Sequence, residues 1–412
     1  MTRLPRDIWP DATLPLLADP YRYVSRRARA IGSDIFMSRV LGRPAVFLTG
    51  PEAASFFYAP GVFAREGAVP ERIAHVLFGD GGVQRLDGAP HRHRKALWLD
   101  IMSNAALDRL ERAVERAWDE SIPELSATEQ VDVFCHSARV LTVAVCRWAG
   151  VPLDARYAEE TSAMLSSLFL HAASLGSDHK RGLMNRARAQ DWARNLVLAR
   201  RHGKVPPDGS ILAAMAAWTD RDGTPVAADA AASELLSLLR PTVATAVYVT
   251  FLAMALSRHP RHREAVASDG AFRLAFVQEV RRLYPFFPSV AARPVADARW
   301  RGFDIAAGTR TILDLYGTGR HPAGWDAPDR FRPKRFLGWQ GSAWTMIPQG
   351  GGAHAETHRC PGEWMTLRIM DVLARRLAAA SYEVVTPSAR PNYRAAPALP
   401  RGGFLITNVR AG

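Results

Sequence analysis

The segment from about Ala228 to Ser257 constrains the fold most, because it predicts one long helix whose residues are almost all apolar. Arg240 and Pro241 interrupt this helix side by side. A proline inside a helix costs about 3 kcal/mol, and an unpaired guanidinium in an apolar interior costs more still. A chain that retains both residues is therefore expected to gain something from them.

Two interpretations of Arg240 and Pro241 are open at the level of sequence. In the first, the proline kinks the helix and the arginine extends its charged end to the surface. In the second, the arginine places a cation in an apolar cavity, where its forked guanidinium binds an anion through two hydrogen bonds. A carboxylate is the anion that suits this geometry best.

The rest of the pattern is mainly α-helical with a minor β-sheet. Helical periodicity dominates from about residue 90 to 260, and β-rich runs flank Gly42-Arg43-Pro44 and Ala306-Ala307-Gly308. A sheet drawn from both ends of the chain ties those ends together, so we predict a single domain over residues 1–412. We expect the segment 204–210 to be a loop inside this domain rather than a boundary.

Composition and charge exclude several classes of protein. The net charge of +13 comes almost wholly from arginines spread along the chain, without a block of like charges, so we expect no nucleic-acid partner. No uninterrupted apolar run reaches the roughly 18 residues of a membrane span. The N-terminal residues lack the apolar core of a secretory signal, which predicts a cytoplasmic protein.

The segment 349–364, QGGGAHAETHRCPGEW, combines a loose backbone with a firmly placed thiol. Cys360 precedes Pro361-Gly362 and a strongly helical stretch, and proline is favoured in the first turn of a helix. We therefore place Cys360 at a helix N-terminus, where amide groups and the helix dipole lower the pKa of a thiol. The glycines at 350–352 let the backbone fold tightly there and leave room for a flat ligand.

Other interpretations of the cysteines are weaker. A zinc site would recruit His354, His358 and Cys360, but the second half of a ligand set is missing. A catalytic cysteine would need a His/Asn partner pattern, and none stands out. Cys135 and Cys146 lie in apolar surroundings, and we expect both to be inert core residues.

Glu279 and Arg282 lie three residues apart on a predicted helix, so they share a face and can form an ion pair. Taken alone, such a pair is usually a solvated surface contact.

Together these segments resemble a cytochrome P450: Glu279-x-x-Arg282, then a Pro-x-Arg-Phe segment at 333–336, then the glycine-rich loop with Cys360-Pro-Gly. The resemblance covers essentially the whole chain and implies the P450 fold. It implies haem b as cofactor, with the Cys360 thiolate as axial ligand of the iron. It would make Glu279, Arg282 and Arg335 a structural triad that braces the haem loop.

The resemblance also implies that His91, Lys95 and His358 lie near the haem propionates. For His91, an ordinary histidine on the surface of a helix remains an alternative.

The segment 239–247, LRPTVATAV, departs from the usual monooxygenase pattern, because the acid of the acid–alcohol pair that delivers protons to dioxygen is missing. Here the chain resembles the P450 peroxygenases that act on fatty acids. The resemblance implies that hydrogen peroxide is used directly, without NADPH or a redox partner. The carboxylate of a long-chain fatty acid, held by Arg240, would then act as general acid–base, and hydroxylation would fall at the α or β carbon. Pro241 would fix the helix distortion that makes room for this clamp.

Gln84 matches the position beside the haem that holds glutamine or histidine in similar enzymes, and glutamine indicates hydroxylation as the main outcome. Phe78, Phe286 and Phe287 are candidates for the lining of the acyl channel, with ordinary core packing as an equal alternative. Three functional alternatives remain: a decarboxylase that forms terminal alkenes, a conventional reductase-dependent P450, and a non-catalytic haem protein. No second domain or output module is visible in the sequence, which counts against a sensor.

Overall fold

The computed structural model describes residues 3–203 and 209–410, so most of the loop predicted at 204–210 lies outside the described residues. The helices are α1 (Thr13–Ala18), α2 (Tyr23–Ile31), α3 (Pro51–Phe57), α4 (Glu71–Phe78), α5 (Gly88–Asp100), α6 (Asn104–Ala127), α7 (Val133–Ala149), α8 (Ala158–Leu170), α9 (Gly176–Arg201), α10 (Ile211–Ala216), α11 (Ala228–Arg258), α12 (Arg263–Ser268), α13 (Gly270–Leu283), α14 (Leu315–Thr318) and α15 (Glu363–Ala379). The strands are β1 (Ile35–Val40), β2 (Arg43–Leu48), β3 (Phe63–Ala64), β4 (Val131–Asp132), β5 (Ser289–Pro294), β6 (Ala298–Trp300), β7 (Phe303–Ile305), β8 (Arg310–Asp314), β9 (Ser381–Val384) and β10 (Leu405–Arg410). Short 3₁₀ turns lie at Val83–Arg85, Ala155–Tyr157, Pro260–His262 and Pro333–Phe336. The prediction of a mainly α-helical fold with a minor β component is confirmed.

Helix α11 is the centre of the molecule, because its apolar residues are covered on every side. It packs against α7, α8, α9 and α15. Within the described residues it is the one helix long and apolar enough to cross a membrane, yet 94% of its most apolar stretch is buried inside the fold. Burial of this kind is typical of a core helix.

The main sheet joins the two ends of the chain, as predicted. Its strand order is β1-β2-β8-β5-β3, and β2 from the N-terminal part pairs in parallel with β8 from the C-terminal third. A second sheet, β4-β10-β9, attaches the last strand to the start of α7. The two sheets therefore bring N-terminal and C-terminal segments of the chain together.

Two predicted turns fall at different residues. The first hairpin turns at Leu41-Gly42, and a second turns at Arg301-Gly302 between β6 and β7. All four of these residues have positive φ, which suits the type I′ turns of two-residue hairpins. The predicted pairing around Ala306-Ala307-Gly308 is wrong, because β8 leaves β7 and enters the main sheet.

The two additional cysteines have different environments. Cys146 is buried in the core, as predicted. Cys135 is exposed, so the prediction for it is wrong. Its neighbour Phe134 faces the core, and one residue along a helix turns a side chain by about 100° toward solvent.

Candidate active site

The Cys360 loop ends directly before helix α15, as the sequence predicts. The backbone N–H of Cys360 donates to the carbonyl oxygen of Gln349 over 2.9 Å and closes the loop. Burial raises the pKa of the Cys360 thiol, although the backbone N–H of Gly362 and the side chain of Gln349 act in the opposite direction. The predicted lowering of this pKa is therefore wrong for the protein alone. A metal cation bound to the sulfur would stabilise the thiolate.

The glycines of this loop allow a close approach of backbone to backbone. Gly350 has a φ of +94°, and a Cβ there would lie 3.1 Å from the Cα of Arg359 and from the hydroxyl of Tyr58. A Cβ on Gly351 would lie 2.7 Å from the carbonyl oxygen of Ala343. The predicted tight folding is thus present, and the space beside these two glycines is filled by the protein itself.

The histidines of the segment do not converge on Cys360. His354 Nε2 lies 3.0 Å from a carboxylate oxygen of Glu363, and His358 Nε2 lies 3.1 Å from one of Asp87. Across residues 3–203 and 209–410, no group of three His, Cys, Asp or Glu side chains could hold a metal ion. The zinc interpretation is therefore wrong.

The structure brings His91, Lys95 and His358 together beside the Cys360 loop. The rings of His91 and His358 stack with centroids 4.0 Å apart, and burial lowers their pKa values to about 3 and about 4. Lys95 is 2% exposed and donates to the backbone carbonyls of Thr357 and Arg359. Burial lowers the pKa of Lys95 to about 8. The surface-helix alternative for His91 is wrong, because the residue is buried.

Arg240 lies in the interior of α11 and does not reach the surface. The residue is 6% exposed, and its buried Nε has no hydrogen-bond partner. Burial lowers the pKa of Arg240 to about 9, with a further contribution from Arg186, so the guanidinium remains charged at pH 7. The interpretation in which the arginine extends to solvent is therefore wrong.

Pro241 lies inside a helix that continues from Ala228 to Arg258. Because proline has no N–H, the carbonyl of Ser237 loses its usual helical donor. The hydroxyls around the proline are already engaged with the helix. Thr242 donates to the carbonyl of Leu238 over 2.7 Å, and Thr245 donates to that of Pro241 over 3.3 Å.

Gln84 lies in the 3₁₀ turn Val83–Arg85, and its buried Oε1 has no hydrogen-bond partner. The turn is fixed to α11, because the backbone N–H of Val83 donates to Glu234 over 2.8 Å. Glu234 is fully buried and also accepts from Arg94 over 3.1 Å and from the indole of Trp98 over 2.8 Å. Sequence reasoning missed Glu234, although an acid within a long apolar segment was a signal for it.

The three candidate channel residues do not lie around one point. The ring of Phe78, at the end of α4, has its centroid 5.9 Å from the guanidinium carbon of Arg240. Phe286 stacks on Tyr248 with ring centroids 4.6 Å apart, and Phe287 packs edge-on against Phe286. Phe78 therefore belongs to the Arg240 environment, whereas Phe286 and Phe287 line a separate cavity with Tyr248.

Glu279, Arg282 and Arg335 form a buried cluster. Arg282 donates to both carboxylate oxygens of Glu279, over 2.8 and 2.9 Å, and both side chains are fully buried. Arg335 Nε lies 3.3 Å from Glu279. Arg282 also donates to the carbonyls of Gly319 and Pro328. The alternative of a solvated surface pair is therefore wrong.

A second buried ion pair beside this cluster was not predicted. Arg281 donates to Glu363 over 2.7 Å and to the side chain of Gln349 over 2.8 Å. Glu363 also accepts from Arg359 over 2.7 Å. Burial would raise the pKa of Glu363, but Arg281, His354 and Arg359 hold it well below its usual range. This network fixes the start of α15 and hence the position of the thiol.

Comparison with known proteins agrees with this arrangement. The family model for cytochrome P450 matches residues 273–378. The bifunctional protein STORR of Papaver somniferum is 33% identical over 132 residues, a match that spans 30% of this chain and 14% of STORR.

Solved structures match along the full length. Cytochrome P450SP alpha (CYP152B1) in complex with (R)-ibuprofen is 40% identical and superimposes with a TM-score of 0.95, covering 97% of this chain and 99% of its own. Cytochrome P450EX alpha (CYP152N1) with myristic acid is 36% identical, with a TM-score of 0.95 and complete coverage of both chains. The chain is therefore a cytochrome P450, a haem-thiolate oxidoreductase of the CYP152 fatty-acid peroxygenases.

Proposed function

We propose that this enzyme uses hydrogen peroxide to hydroxylate long-chain fatty acids at the α or β carbon, with the substrate carboxylate as general acid–base. One observation carries the proposal: Arg240 is charged, buried, and acted on by no carboxylate among the described residues. An unpaired buried guanidinium is strongly unfavourable. A bound carboxylate would neutralise it through two parallel hydrogen bonds.

The P450 family implies haem, and the residues fit this group. Cys360 would be the axial ligand, and His91, Lys95 and His358 would receive the propionates. The buried cation of Lys95 has only carbonyl oxygens as partners among the described residues, so it can accept a carboxylate. When bound, the haem supplies oxidising chemistry, because a thiolate ligand favours cleavage of the O–O bond of peroxide. We propose that residues 1–412 form one haem-thiolate domain.

Among residues 3–203 and 209–410, no carboxylate of the protein acts on Arg240. The sequence of α11 after Glu234 contains neither Asp nor Glu, and Glu234 is held by Val83, Arg94 and Trp98. The hydroxyl of Thr242 is engaged with a helix carbonyl. A substrate carboxylate on Arg240 would therefore take up a proton from one peroxide oxygen and return it to the other.

The neighbouring residues receive supporting roles in this proposal. Pro241 would open the helix at the carbonyl of Ser237 and make room for the clamp. Phe78 would cover the guanidinium and keep water from it, and Gln84 would lie beside the reacting carbon and favour hydroxylation. Phe286 and Phe287 line a separate cavity with Tyr248, so this proposal gives them no role in holding the acyl chain at Arg240.

The structural triad Glu279, Arg282 and Arg335 would hold the haem loop without touching the substrate. The partners would be a long-chain fatty acid and peroxide in the cytoplasm, without a redox protein. The ligands of the two similar structures, ibuprofen and myristic acid, are both carboxylic acids, which supports this class of substrate.

The test is peroxide-driven turnover of a fatty-acid series, with products identified by mass spectrometry. We expect 2- or 3-hydroxy acids without any reductase, and at least about a 100-fold loss of kcat/KM in Arg240→Leu. Arg240→Lys should also be impaired, since an ammonium lacks the forked geometry. The carbon monoxide spectrum of each variant is the control, because it reports thiolate-bound haem independently of substrate.

Three outcomes would contradict all or part of the proposal. Turnover that requires NADPH and a ferredoxin, while peroxide only bleaches the haem, would show a conventional monooxygenase. Undiminished activity of Arg240→Leu would remove the carboxylate clamp. Terminal alkenes as the main product would identify a decarboxylase with the same clamp.

A further inference from the structure

A second buried arginine, Arg186 of helix α9, lies close to Arg240. It is 3% exposed, and its hydrogen-bond partners are neutral: Gln190 at 2.5 Å and Ser233 at 3.1 Å. Burial lowers the pKa of Arg186 to about 10, so the side chain is charged at pH 7. The protein therefore holds two cations in this part of its interior.

Both guanidinium groups face the same side of α11. Ser233, which contacts Arg186, lies seven residues before Arg240, and residues seven apart share a helix face about two turns and roughly 10 Å apart. Arg186 is near enough to lower the pKa of Arg240, after the larger effect of burial. A chain molecule bound along this face would meet both charges.

Gly79, the residue after Phe78, makes room for the second arginine. Its φ is +70°, and a Cβ there would lie 1.8 Å from the Nη2 of Arg186. The guanidinium of Arg186 thus lies directly on the backbone at the end of α4. The ring of Phe78, next in the chain, lies over Arg240, so one short segment contacts both arginines.

No carboxylate among the described residues forms an ion pair with Arg186. Asp80 acts on it from a distance but is 74% exposed, and it pairs with Arg85 and His75 over 3.5 Å each. Glu234, next to Ser233, is already bonded to Arg94. Two unpaired cations in a largely apolar interior are expected to receive two anionic groups.

We propose that the enzyme binds α,ω-dicarboxylic acids along this face of α11, with one carboxylate on Arg240 and the other on Arg186. The proposal rests on the proposed function, in which Arg240 binds the carboxylate next to the reacting carbon. One C–H bond of the dicarboxylate would become C–OH, and peroxide would be reduced to water. Arg186 would be a specificity-determining residue that sets the distance between the two acid groups.

The test measures dissociation constants by calorimetry on the haem-loaded enzyme, for monocarboxylic and dicarboxylic acids of equal chain length. At one or more lengths we expect the dicarboxylic acid to bind about tenfold tighter or better, as a second charge-assisted pair predicts. Arg186→Gln should remove this preference, so that the dicarboxylic and the monocarboxylic acid of equal length bind with equal affinity. Arg188→Gln is the matched control, because Arg188 is an exposed residue of the same helix and should retain the preference.

The outcomes separate this inference from the function on which it rests. Equal affinity for both acid classes at every length in the wild-type protein would overturn the inference, as would a preference that persists in Arg186→Gln. A purely structural role of Arg186 would weaken both acid classes alike. Unchanged monocarboxylate binding in Arg240→Leu would instead contradict the proposed function.

Discussion

Below the Cys360 loop, Arg281 and Arg282 are each bonded to a buried carboxylate, Glu363 and Glu279. Arg240 of α11 and Arg186 of α9 are also buried, but neither has a carboxylate partner among the described residues. The difference teaches that burial of a charge does not identify its role. Where the chain supplies the counter-ion, the arginine fixes structure; where it does not, the arginine is available to a ligand.

The largest effect on stability should come from breaking the ion pair of a buried arginine. Glu279→Gln would leave Arg282 charged and uncompensated in the interior, and we expect a loss of about 3–5 kcal/mol in the free energy of unfolding. Chemical denaturation measures it. A loss below about 1 kcal/mol would erase the distinction between the two regions.

Removal of an unpaired arginine should have the opposite sign. Arg240→Leu replaces an uncompensated cation with an apolar side chain, so we expect stability to be unchanged or to rise by about 1–4 kcal/mol. Fatty acid at 100 times its dissociation constant should stabilise the wild type by about 2.7 kcal/mol and the variant by much less. Thermal unfolding with and without the acid checks both statements, and a strongly destabilised variant would place Arg240 in the structural class.

The smallest effect on stability should come from an arginine in an exposed ion pair, which serves as a reference for the buried arginines. Arg116 pairs with Glu120, but the two side chains are 71% and 43% exposed. Arg116→Ala should therefore change the free energy of unfolding by less than about 1 kcal/mol, and salt should reduce even that. A loss comparable to that of Glu279→Gln would show that pairing rather than burial sets the cost.

The sequence could predict those parts of the site in which a residue type is unusual for its local sequence context. Arg240-Pro241 in an apolar helix and Cys360-Pro-Gly after glycines are local anomalies, and both lie where they were expected. The fold class followed from helical periodicity and from β-rich runs near both ends.

What sequence could not provide depends on tertiary burial. Arg186 lies in a helix rich in charged residues, where an arginine has no distinguishing context. Arg281 directly precedes Arg282, yet its partner Glu363 is 82 residues away along the chain. The thiol pKa of Cys360 depends on burial as well as on the helix terminus. The helix terminus can be predicted from the sequence, but the burial is known only from the tertiary structure.

The contacts of Arg282 have a consequence for the segment that precedes the triad arginine Arg335. Residues 319–332 form no helix or strand, and the guanidinium of Arg282 donates hydrogen bonds to the carbonyl oxygens of Gly319, Pro328 and Arg330. This side chain adds to the few backbone hydrogen bonds of the segment, which lacks the regular hydrogen-bond ladder of a helix or strand. The solvent-facing side chains of such a segment can be exchanged freely. An insertion that changes the spacing of these carbonyls would break their hydrogen bonds to Arg282 and disorder the segment.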